Sequence, residues 1–299
     1  MIGMSMTRWS SNLFGVITIL RYVVITLFLA SCEKTVFPDG TADGDVVRLT
    51  FQPVSQDMTR GTSVTQFSKL NIQIFDKDGA KVFDKVKTQT KDDDDFCTLS
   101  VKLSEGTYTV VAVGHSSTIS ATIKSPTVCQ FTASDGEKLT DTFCHCSTLT
   151  ISGGASYTLP MYRAGAMIQF CLTDSVVPES FAYFLMEYTG GSANFNPTTL
   201  EGITKSSQSE KRIRNDLMIH QAYTFPYLST SCLLKITCSG LDADGTVIRK
   251  RVFTDVPVTR NRITTYTGHF FEDGDGQFTQ SDFGFVVHAD WDGEDFYEF

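Results

Sequence analysis

Short runs in which apolar and polar residues alternate recur along the chain from Val46 onward, and no long stretch repeats convincingly at helical spacing. Alternation with a period of two marks a strand that rests one face on a core. "VVRLTFQP" (46–53) sends Val47, Leu49 and Phe51 to one side. "KLNIQIFD" (69–76) does the same with Leu70, Ile72 and Ile74, then runs into "DKDG", a hairpin-turn signal. The return strand is expected in "AKVFDKV" (80–86). "FCTLSVKL" (96–103), "EGTYTVVAVG" (105–114), "STLTISG" (147–153) and "YTLPMYRA" (157–164) read as further short strands.

The pattern then restarts. "AGAMIQFCL" (164–172) and "FAYFLMEY" (181–188) are strand-like, and "CLLKITCSGLDADGTVIRKRVF" (232–253) repeats the strand, Asp-Gly turn and strand of 70–86. "RITTYTGHFF" (262–271) and "FGFVVHADW" (283–291) close the chain, while 194–221 is the least strand-like stretch and should hold loops or a short helix. This rhythm predicts an all-β protein with two similar β-sandwich domains, 46–162 and 163–299, joined near 162–165.

Upstream, "RYVVITLFLA" (21–30) has one basic residue and an apolar run of signal-peptide length, too short to span a bilayer alone, which takes ~20 residues. A single span from Leu13 to Ala30, interrupted by Arg21, is the competing reading. Leu29-Ala30-Ser31-Cys32 has the lipobox pattern: an aliphatic residue, two small residues and the cysteine that receives diacylglycerol. Residues 1–31 are thus expected to be a lipoprotein signal peptide, Cys32 the lipidation site holding the chain to the outer membrane, and 32–45, with "DGTADGD", a flexible tether.

A net charge of −9 provides no basic footprint for nucleic acid. Beyond Cys32 stand seven cysteines, an odd number with no scaffold-like spacing, so mostly buried thiols are expected. Asp92 to Asp95 invite calcium but read better as a solvated hairpin tip, and "DGDGQFTQSD" (273–282) departs from an EF-hand loop at Phe278, where glycine is required. Cys144-His145-Cys146 would split across the two faces of a strand, which opposes a shared zinc ion. Nucleophile-elbow, phosphate-loop and zincin-helix motifs are missing, and the five histidines are scattered. No catalytic residue, metal site or cofactor is therefore assigned. Trp9 leaves with the signal, so a glycan platform, the alternative function, would rest on Trp291 and the tyrosines.

"TRGT" (59–62), "KLNIQIFDKDG", "LSEGTYTVVAVG" (103–114), "YRAGAMIQF" (162–170) and "VTRNRITTYTGHF" (258–270) together resemble the fimbrillin superfamily of type V pili, in its lipoprotein anchor and accessory-subunit branch, the FimB/Mfa type. The resemblance implies two transthyretin-like β-sandwiches and a non-catalytic fimbrial subunit that supports adhesion. Its partners would be other fimbrial subunits, joined by strand exchange at the outer-membrane surface. Stalk subunits of that superfamily lose their first strand to an Arg-specific protease. Arg60 stands where such a cut would release 46–53, although the anchor branch is thought to keep that strand. An exchanged strand must come from an edge that can open. The candidates are the first strand, through Val47, Leu49 and Phe51, and the terminal strand 283–291, through Phe285, Val287 and Ala289. The acidic "DGEDFYEF" beyond the latter is expected to stay solvated.

Overall fold

The computed structural model describes residues 44–54, 66–132, 139–272, 291 and 293–298, all within one compact unit, Asp39–Phe299. Those residues form strands, turns and bends without a helix, so none among them is long and apolar enough to cross a membrane. The first half contributes β1 (Asp45–Pro53), β2 (Lys69–Asp76), β3 (Lys87–Thr90), β4 (Thr98–Leu103), β5 (Gly106–His115), β6 (Thr122–Ser125), β7 (Val128–Gln130), β8 (Phe143–Ile151) and β9 (Ser156–Arg163). Their order β3-β2-β5-β8-β9-β1-β4 folds over at a corner where β8 and β9 share the pairs Phe143↔Arg163 and Cys144↔Tyr162. Alternate residues of both layers then meet in one core: Val47, Leu49, Phe51, Leu99, Val101 and Met161 from one layer against Leu70, Ile72 and Ile74 from the other.

The second half contributes β10 (Ala166–Leu172), β11 (Tyr183–Thr189), β12 (Asn194–Asn196), β13 (Glu201–Gly202), β14 (Gln208–Ile213), β15 (Ile219–Thr224), β16 (Ser231–Leu241), β17 (Val247–Thr259), β18 (Arg262–Gly268) and β19 (Gly293–Glu298). One sheet runs β14-β11-β16-β17 and the other β15-β10-β18-β19. The plan of the first half returns: β10 pairs antiparallel with β15 and parallel with β18, as β1 does with β4 and β9. Phe170, Phe184, Met186, Ile236 and Tyr266 fill this second core. β19 has no counterpart among the described residues of the first half.

Several expectations are corrected. Residues 80–86 do not form the return strand. After the Asp76–Ala80 turn, where Gly79 takes φ 81° and the Asp76 carboxylate accepts the Asp78 and Ala80 amides, the chain makes one bridge at Lys81. Phe83 then dives into the core and Gln73 caps its carbonyl at 2.9 Å, so the paired strand is β3 instead. The matching turn at Asp242, with its carboxylate on the Asp244 and Thr246 amides, joins β16 to β17. By sheet order β16 and β17 answer to β5 and β8, so the two Asp-Gly hairpins are not equivalent even though the halves are. Residues 194–221 hold β12, β13, β14 and the start of β15, not a helix.

Two of those unexpected strands create a third layer. β6 and β7, inserted between β5 and β8, join β12 and β13, inserted between β11 and β14, in a sheet ordered β13-β12-β7-β6 with Phe195 opposite Cys129. It covers the outer face of the first sandwich, where Phe75, Val111, Val113 and Cys144 pack with Phe131, Phe195 and Phe225. Gly202 allows the close approach this needs, because a Cβ there would lie 2.6 Å from Ser192 and 2.7 Å from the Phe225 carbonyl. Both faces of β2 are therefore buried, and its polar residues must find partners inside. Asn71 Oδ1 contacts His115 Nε2 at 2.7 Å, while His115 Nδ1 accepts the Ser117 amide at 3.1 Å, which assigns the ring proton to Nε2.

Burial, with Lys69 nearby, lowers the His115 pKa from 6.5 to about 4. Burial, with Arg212 nearby, does the same to His220, which stacks on Phe184 at 4.6 Å and whose ring nitrogens have no hydrogen-bond partner among the described residues. A histidine depressed in the fold stabilises it fully above its unfolded pKa, and that stability is lost as pH falls through the folded value. Between pH 6.5 and about 4 the unfolding free energy should thus decline, by roughly 1–3 kcal/mol per ring. Urea midpoints at pH 7 and pH 4.5 test this. His220→Phe, which keeps the stacked shape and removes two unsatisfied nitrogens, should shrink the difference; an unchanged difference refutes the role of that ring.

Candidate functional site

β1 is the middle strand of its layer and not an edge, which corrects the premise of an edge strand. Its register runs Val47↔Val101 and Leu49↔Leu99 on one side, and Leu49↔Tyr157 and Phe51↔Leu159 on the other. Further amide bonds hold it along its length: Arg48 N to Ala155 O (2.8 Å), Phe51 N to Cys97 O (2.9 Å) and Val54 N to Met161 O (2.9 Å). Val47, Leu49 and Phe51 are at most 2% exposed, whereas Val46, Arg48 and Gln52 face solvent. A strand of this kind, absent from its place, would leave two facing ladders of backbone donors and acceptors above an apolar floor, the requirement for β-augmentation. The other sequence-assigned residues, Cys32, Arg60, Phe285, Val287 and Ala289, lie outside the described residues.

At the other end of the chain, Gly293–Glu298 is paired as β19, parallel to β18, instead of remaining a solvated tail. An outermost strand can carry acidic residues that a central strand could not, which is why its composition read as solvated. Tyr297 stacks on Tyr266 with centroids 4.9 Å apart. Burial and that neighbouring phenol push Tyr266 up to about 12.

Between these two regions lies a residue that patterning missed. Arg163, at the end of β9, is 7% exposed and makes a two-pronged ion pair with Asp141, Nε to Oδ1 at 2.7 Å and Nη2 to Oδ2 at 2.8 Å. Its Nη1 donates to Asn261 Oδ1 at 2.9 Å, and Nη2 reaches Gln66 Oε1 at 3.4 Å. The guanidinium also lies 4.7 Å from the Phe143 ring and 3.9 Å from that of Trp291. Asn261 holds φ 59° in the turn between β17 and β18 and donates its amide to Gly165 O at 2.9 Å. Arg163 thus gathers the end of the first sandwich, a turn of the second, the approach to β2 and the approach to β19. The available signal was one arginine in "YRAG" and one asparagine between two arginines in "TRNR", nearly a hundred positions apart.

Other clusters have structural explanations. Cys144 lies in the third-layer core with Cys129, and Cys146 packs against it, while His145 faces away and contacts Pro160 O (2.8 Å) and Ser147 Oγ (2.7 Å). All seven cysteines downstream of Cys32 are free thiols, and burial pushes Cys129, Cys144 and Cys146 upward, away from the thiolate that a metal or an electrophile requires. Asp174, His269 and Glu272 come together, but the Asp174 carboxylate accepts the amides of Phe270, Phe271 and Glu272, and Glu272 accepts from Ser175 and Val176. They fasten the loop after β18. Asp92 to Asp95 form an exposed turn between β3 and β4.

Residues 41–226 match the family described as fimbrillin-A associated anchor proteins Mfa1 and Mfa2. The chain belongs to this family. The match takes in β1 to β15 with Asp141 and Arg163, and membership places the chain among fimbrial, cell-surface-associated proteins that work with other fimbrial subunits. Similar solved structures include the fimbrial anchor protein Mfa2 from Porphyromonas gingivalis, at 13% identity over 70% of this chain and 82% of that one (TM-score 0.41). A fimbrial assembly protein from Parabacteroides distasonis is 14% identical over 76% and 92% (TM-score 0.40). A Bacteroides thetaiotaomicron protein described as a candidate polysaccharide-binding protein is 11% identical over 69% and 79% (TM-score 0.48). No curated protein matches the chain.

The central place of β1 sets the cost of disturbing it. Leu49→Ala should destabilise the fold by about 2–5 kcal/mol, the range for a fully buried leucine. Thr50→Ala, half-buried on the opposite face, should cost no more than about 1 kcal/mol. Urea denaturation of both variants checks the contrast, and equal losses would contradict the assigned facing of β1.

Proposed function

We propose that this chain is a non-catalytic, lipid-anchored subunit of a type V pilus, placed at the outer membrane as its anchor or accessory component and joined to its neighbour by strand exchange. Family membership supports the fimbrial role. The observation that carries the anchor reading is the position of β1, paired along both sides and buried through Val47, Leu49 and Phe51. Cys32 stands 13 positions before Asp45, where β1 begins, so a lipid on that cysteine would be tied to the body of the protein through this strand. Cleavage at Arg60 would cut the covalent path between lipid and body. An anchor therefore keeps β1 uncut, whereas a stalk subunit that must offer a groove gives it up. Two or more acyl chains on Cys32 would hold the tether firmly, where a single chain binds marginally.

The mature protein should begin at a lipidated Cys32 and retain residues 46–53, as read by intact mass and N-terminal peptide mapping of membrane-extracted material. Cys32→Ser should move the protein out of the outer-membrane fraction and increase shedding of fimbriae, while Arg60→Ala should change neither its size nor its location. A mature chain starting at Gly61 would overturn the anchor reading in favour of a stalk subunit. Normal fimbriae in a deletion strain, with loss of binding to one glycan, would favour the surface glycan-binding alternative.

A further inference from the structure

Fastening the loop after β18 uses only part of what Asp174 and Glu272 offer. Asp174 Oδ1 accepts the Phe271 and Glu272 amides at 2.6 and 2.9 Å and Oδ2 the Phe270 amide at 2.8 Å, which leaves one of the roughly four acceptor positions of a carboxylate. The bonds to Glu272 from Ser175 Oγ (2.6 Å) and the Val176 amide (2.8 Å) both end on Oε1. They hold its carboxyl below the ordinary pKa and leave Oε2 to face His269 Nδ1 at 3.4 Å. That separation is longer than a good N–H···O bond. It matches the ~3.4 Å edge of a tetrahedron whose corners lie about 2.1 Å from its centre, the distance at which imidazole nitrogen and carboxylate oxygen bind zinc. One oxygen of Asp174 completes a set of three ligand atoms, all within 4.8 Å of one another. His269 has no other polar contact among the described residues and is half-exposed, so solvent reaches the remaining positions.

The sandwich itself positions this mixed nitrogen and oxygen set. β10 and β18 pair in parallel up to Leu172↔Gly268, the Thr173 amide donates to Gly268 O at 2.9 Å, and Asp174 and His269 follow directly on the two strands. Arg251, reaching from β17, donates to the carbonyls of Phe270 and Glu272 at 2.9 and 2.8 Å and so holds the backbone beside two of the ligands. Bonds of this kind from surrounding groups are what orient the ligands of a metal. We propose that Asp174, His269 and Glu272 bind one zinc ion, a clip that closes the end of the β10–β18 pair. The first sandwich, built to the same plan, has no such cluster among its described residues. One imidazole with two carboxylates selects a borderline ion such as zinc over the harder calcium and magnesium, and with three protein ligands the fourth position goes to water. The ion joins the loop after β10 to the segment after β18 and neutralises two facing carboxylates. Because the ligands converge only in the fold, its binding adds to stability.

The test is equilibrium dialysis of the full chain against zinc chloride, with the thermal midpoint read with and without the ion. The unaltered chain should retain one zinc per molecule and melt at a higher temperature with it. His269→Ala should lower zinc affinity by roughly tenfold or more and abolish the zinc-dependent rise. Its metal-free midpoint should stay unchanged, because the ring's only polar contact is the Glu272 carboxylate. Glu272→Gln keeps an oxygen for Ser175 and Val176 but loses the charge, and should weaken zinc by a similar factor. If the glutamine variant does not fold, the alanine variant decides alone. Cobalt in place of zinc should show d–d absorption without the charge-transfer band of a thiolate, which separates this site from the free cysteines. Failure to retain zinc, undiminished affinity in His269→Ala, or a thiolate band with cobalt overturns the proposal.

Discussion

The arrangement depends on covering the outer face of β2, β5 and β8. In a free-standing sandwich that face would meet water, but here it carries Phe75, Val111, Val113 and Cys144, all buried. The covering sheet takes two strands from each half of the chain, so neither half completes it alone. A shared apolar core of this kind ties two similar units together far more tightly than a linker would. It also explains why β2 can bury Asn71 and Gln73: each is enclosed with its own partners, Asn71 with Thr88, His115 and the Ala121 amide, and Gln73 with the Phe83 backbone and the Ile74 amide.

The halves share a topology but close their open sides differently. Where the edge strands β3 and β4 approach one another, Gln89 Nε2 donates to Thr98 O at 2.6 Å. At the equivalent seam of the second sandwich Arg212 Nε donates to Gln221 O at 3.0 Å, with Glu210 3.3 Å from the same guanidinium. One polar side chain crossing from edge to edge serves in both, but the second seam contains charge and, beside it, the neutral His220.

Much of the fold was legible because most of the strands bury one face. The alternation of Val47, Leu49 and Phe51, and of Ile168, Phe170 and Leu172, is local information, and it located β1 and β10 within a residue or two. What failed was information that depends on partners. β12 and β13 are two or three residues long and exist because β7 and the β15 end wait for them, so nothing in "NFNPTTLEG" signals a strand. β19 is acidic because an outer strand tolerates acid, and residues 80–86 alternate like a strand although Phe83 is claimed by the core. The role of Arg163 was hidden for a related reason. Its partners Gln66, Asp141, Asn261 and Trp291 are scattered through the chain, and spacing along a sequence does not display a contact that only the joint creates.

For an anchored protein the shared core and the arginine joint have a mechanical consequence. A load reaching the second sandwich cannot pass through the short 163–165 connection alone, because the third layer and Arg163 bind the two halves in parallel with it. A pull along the axis of β1 would load its ladders to β4 and β9 in shear. Hydrogen bonds loaded along the strand axis are sheared together, and a strand paired on both sides offers two such ladders where an edge strand offers one. A middle strand is therefore the suitable place for a tether to enter.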